Sequence, residues 1–138
     1  RKQFAEFAKE VGMSDTRIKL MYEGRAVMTD AEKEGMLDLY LNEAEEQAQE
    51  ILGENTDPLA RKLVTDLVYN MGYSRVKNNF PSFVKAMQKG NYKEAQMQLA
   101  YGDTTNFKTN GYVTDTRNRA VRNIALLGRM AKRQQKQD

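Results

Sequence analysis

Apolar residues recur at spacings of three and four along most of the chain, and the strict alternation of a half-buried strand is missing. That pattern predicts an all-α protein with little or no β-structure. β-branched residues are scattered, and only two prolines, Pro58 and Pro81, interrupt the sequence. The first pattern covers 1–11, with Phe4, Phe7, Ala8 and Val11 on one side and Gly12 as its stop. Ser14 is the expected N-cap of a short helix over 15–23, carrying Ile18 and either Met21 or Tyr22 on its apolar side. Thr29 followed three residues later by Glu32 reads as a capping box, with Asp30 where the helix dipole favours negative charge. A long ladder follows through Met36, Leu37, Tyr40, Leu41, Ala44, Ala48, Ile51 and Leu52, and Gly53 ends it.

Asn55, Thr56, Asp57 and Pro58 combine cap residues with a proline suited to a first helical turn. The helix they open, 58–71, has Leu59, Leu63, Val64, Leu67, Val68 and Met71 on most of its sides, so it is expected to be the central, most buried one. Shorter helices are expected over 74–79, 81–89 and 92–100. A Gly-, Asn- and Thr-rich surface loop with Tyr101, Phe107 and Tyr112 is then expected over 101–114. A last helix over 114–130 should bury Ala120, Val121, Ile124 and Leu127, and 131–138 reads as a frayed basic tail. The expected organisation is two short N-terminal helices over 1–28, a helical domain over 29–130, and that tail.

Composition narrows the chemistry. The 138 residues include no Cys and no His, which excludes disulfides, Cys/His zinc sites, Ser-His triads and thiol nucleophiles. No cofactor and no metal is expected. No stretch reaches the roughly 18 apolar residues of a membrane span, and the charged first ten residues lack the apolar core of a secretory signal. A chain that opens on Arg1 is expected to be processed or excised from something longer. Charge is split: residues 1–60 hold 14 acidic and 7 basic side chains, residues 61–138 hold 5 and 15. Such asymmetry fits two halves that face each other, a basic part that faces a polyanion, or helix surfaces dressed in one sign. The basic part contains no recognisable nucleic-acid motif and its tail is diluted by glutamine, so nucleic acid is not the expected partner. The carboxylates on the outer face of 30–52 (Glu34, Asp38, Glu43, Glu45, Glu46, Glu50) are expected to be solvated.

The run Leu59-Ala60-Arg61-Lys62-Leu63-Val64-Thr65-Asp66-Leu67-Val68-Tyr69-Asn70-Met71-Gly72 resembles the central helix of phage-type lysozymes, the muramidase family. The likeness continues in order through Val76 and Phe80, Met87-Gln88-Lys89, Tyr92-Lys93-Glu94-Ala95, and Asn118-Arg119-Ala120-Val121-Arg122. Upstream, Thr29-Asp30-Ala31-Glu32-Lys33 looks like the start of the helix that links the family's two lobes. The resemblance implies a compact multi-helix domain like the family's helical lobe. It implies peptidoglycan as partner and glycoside hydrolysis as activity. It also implies a phage-encoded protein, either held in the host cytoplasm before lysis or carried in the virion, acting at the bacterial cell wall.

By the same resemblance, Asn70 corresponds to an amide facing the sugar cleft, Arg119 to an arginine beside the catalytic Glu, and Arg122 to one that pairs with carboxylates at the lobe junction. Such arginines hold carboxylates through paired charge-assisted bonds, or form a structural salt bridge between the last and first helices. Phe107 and Tyr112 are candidates for stacking on sugar rings, or for pinning their loop. The family's catalytic pattern is Glu, eight residues, Asp, five residues, Thr, followed by a Gly-rich hairpin. Glu6 and Asp15 have the first spacing, but Met21 stands where Thr belongs; Glu10 has the better position near Gly12, but Lys19 stands where Asp belongs. Fewer than twenty residues separate the first helix from Thr29, too few for the hairpin. Glu10, Glu6 and Asp15 are therefore the catalytic candidates. The alternative is a non-catalytic virion structural or protein-binding module on the same scaffold, engaging another phage or virion protein.

Overall fold

The computed structural model describes residues 2–102, 112–113 and 117–137. The protein is all-α: eight helices are placed, and no strand occurs among the described residues. They are α1 (Lys2–Glu10), α2 (Asp15–Tyr22), α3 (Asp30–Leu52), α4 (Pro58–Met71), α5 (Tyr73–Asn79), α6 (Pro81–Gln88), α7 (Tyr92–Tyr101) and α8 (Arg117–Gln137). Two compact units divide the chain, Arg1–Glu43 and Ala44–Asp138, so the boundary falls inside α3.

In the first unit Ala8, Met13, Ile18 and Met36 are buried, with Phe4, Phe7, Val11, Met21, Met28 and Tyr40 packed against them. Phe4 meets Tyr22, and Phe7 meets Tyr40, edge to face at centroid distances of 5.6 and 4.8 Å. Ser14 caps α2 as its sequence suggests, its hydroxyl accepting from the Arg17 N–H. The capping box also forms. The Thr29 N–H donates to Glu32 Oε1 at 2.8 Å and the Glu32 N–H donates to Thr29 Oγ1 at 3.1 Å. Arg17 then clamps the same carboxylate. Its Nε donates to Oε2 at 2.9 Å, and its Nη2 donates to Oε1 at 2.6 Å and to the Val27 carbonyl at 2.8 Å.

In the second unit α4 is the buried hub. Ala60, Leu63, Val64, Thr65, Leu67 and Val68 are all enclosed, among Ile51 and Leu52 of α3, Phe83 and Met87 of α6, Leu99 of α7 and Leu127 and Met130 of α8. Asp57 caps its first turn by accepting from the Leu59 N–H, and Pro58 occupies the turn where no N–H is needed. Gly72 ends it at φ +93°, a left-handed backbone that a side chain would strain, and α5 starts at once. Polar side chains brace the hub from outside. Asn55 Nδ2 donates to the Met87 carbonyl and to Tyr92 Oη, and Tyr92 Oη donates to Asp57 Oδ2 at 2.8 Å. Burial, first of all, raises the Tyr92 phenol above its ordinary pKa, so it keeps the proton this donation needs.

Several sequence expectations change. Val121 is 60% exposed and its place on the buried stripe of α8 is taken by Asn123. The apolar ladder of α3 also loses two rungs, since Leu37 and Leu41 face solvent. The expected frayed tail is helix instead: α8 continues to Gln137, with Ala131 buried and Gln134 Nε2 donating to the Gly90 carbonyl at 2.6 Å. Most of the expected 101–114 loop lies outside the described residues, but Tyr101 closes α7 and Tyr112 is buried.

Candidate functional site

α4 and α8 are joined by a small polar cluster at the end of α4. Asn123, on the buried side of α8, is 6% exposed, and an amide there needs partners inside the protein. Its Nδ2 supplies both hydrogens: it donates to Asp66 Oδ2 at 3.0 Å and to Tyr112 Oη at 2.9 Å. Asp66 is also engaged from its own helix, with Asn70 Nδ2 donating to its carbonyl at 2.7 Å and to Oδ1 at 3.1 Å. Tyr112 is in turn held edge-on against Phe80, at a centroid distance of 6.2 Å. The buried phenol, the half-buried carboxylate and two amides thus form one connected unit.

Of the residues singled out in the sequence, Asn70 belongs to this unit. It is exposed, and both of its hydrogen bonds are made through Nδ2. With both bonds made by the amide nitrogen, the amide oxygen of this exposed side chain is chemically able to accept from a hydroxyl or an acetamido N–H. Arg119 and Arg122 stand on the first turns of α8, one helical turn and one residue before Asn123, and both are exposed. Among the described residues neither arginine forms an ion pair. Phe107 lies outside the described residues. Asp66 and Asn123 were not singled out, and Tyr112 was singled out for its ring, not for the hydroxyl that Asn123 bonds. Asn123 carried a readable signal, a lone polar residue three after Ala120 and four before Leu127 on an otherwise apolar stripe.

The catalytic candidates belong to the first unit. Glu6 and Glu10 are exposed on α1. Asp15 is exposed at the first turn of α2, where Lys9 Nζ lies 3.3 Å from its Oδ1. None is enclosed by apolar surface, which is the setting that prepares a carboxyl group as a general acid. No group of three or more acidic residues suited to a metal ion occurs among the described residues, and no described helix is long and apolar enough to cross a membrane. In comparisons with known proteins, no family model, no curated protein and no solved structure matches the chain.

Proposed function

We propose that this chain is a lysozyme-like protein of the phage muramidase class, that its target is the glycan of bacterial peptidoglycan, and that it engages that glycan at the end of α4. The observation that carries the reading is the Asn70–Asp66–Asn123–Tyr112 cluster. It connects the amide that the resemblance turns toward sugar with the start of α8, where Arg119 and Arg122 stand. In this reading the Asn70 oxygen accepts from an acetamido or hydroxyl group. The two arginines take the carboxylates of the wall peptides in paired bonds. The site of action is the cell wall, reached from the host cytoplasm at lysis or from the virion.

Hydrolysis by this chain would run through Glu10 or Glu6 as general acid, with Asp15 as the second carboxylate. The exposure of all three favours a second reading, in which the scaffold recognises wall glycan or another virion protein without cleaving anything. Purified peptidoglycan separates the two. Reducing-end release and pelleting are measured together for the wild type, Glu10→Gln and Glu6→Gln. Release that either substitution abolishes establishes the muramidase. Pelleting without release leaves a binding protein. A chain that neither pellets nor releases reducing ends has no business with this polymer, and the glycan reading falls.

A further inference from the structure

α7 and α8 pack along each other, with Gln96 Nε2 donating to the Ile124 carbonyl at 3.0 Å. Gly128 leaves room for that bond, because a Cβ there would sit 2.8 Å from the same Gln96 nitrogen and the amide would have to move. Beside this contact opens a groove of about 390 Å³, whose lining includes Ala125 and Gly128 together with Lys93, Arg129 and Lys132. No carboxylate lines it. Among the described residues none of these three cations forms an ion pair.

Arg129 also has Lys132 and Arg133 three and four residues on, the spacings at which like charges on a helix repel. Over its whole length α8 carries seven basic residues and no acidic one. The helix dipole accounts for cations in the last turn, but not for Arg129 or for Lys93 on the neighbouring helix. One turn before Ala125, Val121 is an apolar side chain that is 60% exposed.

The complementary surface exists in the same chain. α3 holds eight acidic residues and one basic residue. At 100° per residue, Asp30, Glu34, Leu37, Asp38 and Leu41 fall within an arc of about 100°. All five are exposed, Leu37 and Leu41 by 54% and 42%. It is an acidic helix face with two leucines toward one side of it. The other surface is a basic groove with small apolar residues in its lining.

We infer that the chain associates with a second copy of itself, the solvent face of α3 from one copy lying in the α7–α8 groove of the other. Leu37 and Leu41 cover Val121, Ala125 and Gly128, and Glu34 and Asp38 meet Arg129, Lys132 and Lys93. The cations of this surface, Arg129 and Lys132, lie beyond the first turns of α8 that the glycan reading uses, and the two surfaces come together only at Val121, beside Arg122; charge reversals at 129 and 132 leave Asn70, Arg119 and Arg122 in place, so the two readings fail separately.

The test is sedimentation velocity on the full chain at about 0.02 M and about 0.5 M salt, where the screening length falls from about 20 Å to about 4 Å. Association at low salt that dissociates at high salt is expected. Arg129→Glu with Lys132→Glu, and separately Glu34→Lys with Asp38→Lys, should each weaken association by about tenfold or more. An equimolar mixture of the two reversed proteins should associate again, because each groove then meets an α3 of opposite sign. Arg129→Gln with Lys132→Gln is the milder pair should the reversal cost helicity by circular dichroism. A wild type that stays monomeric at low salt overturns the inference. So does association that survives both reversals, or a mixture that remains monomeric. Capture of a short DNA duplex by the monomer, abolished by Arg129→Glu with Lys132→Glu, would reassign the groove to nucleic acid.

Discussion

Three N–H groups converge on the Glu32 carboxylate, two from Arg17 and one from the Thr29 backbone. Half of this arrangement was legible in the sequence. Thr29 and Glu32 lie three apart and announce a capping box, but Arg17 is fifteen residues away and no local spacing points to it. The Arg17 bonds, followed by the backbone bond, hold the Glu32 carboxyl down to about 2 from 4.5. A carboxylate whose folded-state pKa is depressed contributes stability that is fully present above its unfolded pKa and is lost as pH falls through the folded one. The contribution of Glu32 is therefore complete above about pH 4.5 and fades toward pH 2. Thermal melts should show Glu32→Gln less stable than wild type at pH 7, with the difference shrinking between pH 4.5 and 2. A difference that persists unchanged to pH 2 would mean that the charge contributes nothing. Asn123 makes a neutral counterpart. Asn123→Ala leaves the Asp66 carboxylate and the Tyr112 hydroxyl short of a donor in a mostly buried place, a loss of about 1–3 kcal/mol by denaturant unfolding.

At the level of helices, the starts and stops were the readable part, because they are local chemistry. Ser14, Thr29, Asp57 and Pro58 begin helices, and Gly53 and Gly72 follow the ends of α3 and α4. α4 was legible as the hub for a different reason: an apolar surface on most sides leaves a helix no face for water. Individual faces were less readable. A ladder at three and four accepts a neighbouring residue almost as well, so it admitted Val121 as a buried position on α8 and Leu37 and Leu41 as buried positions on α3. The end of α8 was hidden because its stabilising bond, Gln134 to Gly90, joins residues far apart in sequence. The hub assignment has a direct consequence. Leu67→Ala, at a side chain that is 1% exposed, should cost about 2–5 kcal/mol in urea unfolding, whereas Tyr69→Ala, at a side chain 45% exposed, should stay within about 0.5 kcal/mol. Equal effects at the two positions would remove α4 from the centre of its unit.

Across the whole molecule, two separate clusters of buried residues were not legible as such. The helix that carries the boundary, α3, reads as one uninterrupted amphipathic run, and a helix contributing to two cores has the same periodicity as one contributing to a single core. The charge split was plain, and it carries the self-association argued above. The site proposed for glycan was half legible: Asn70, Arg119 and Arg122 came from the resemblance, whereas the Asp66–Asn123–Tyr112 connection depends on packing between helices that spacing does not encode. The measurement that bears on the glycan reading most directly is an amide NMR titration of the full chain with soluble peptidoglycan fragments, repeated on Asn70→Ala. Shifts gathered at 66–70 and 118–123, with an affinity about two- to tenfold weaker in the variant, are the predicted result. Spectra that do not move, or shifts confined to other helices, would contradict it.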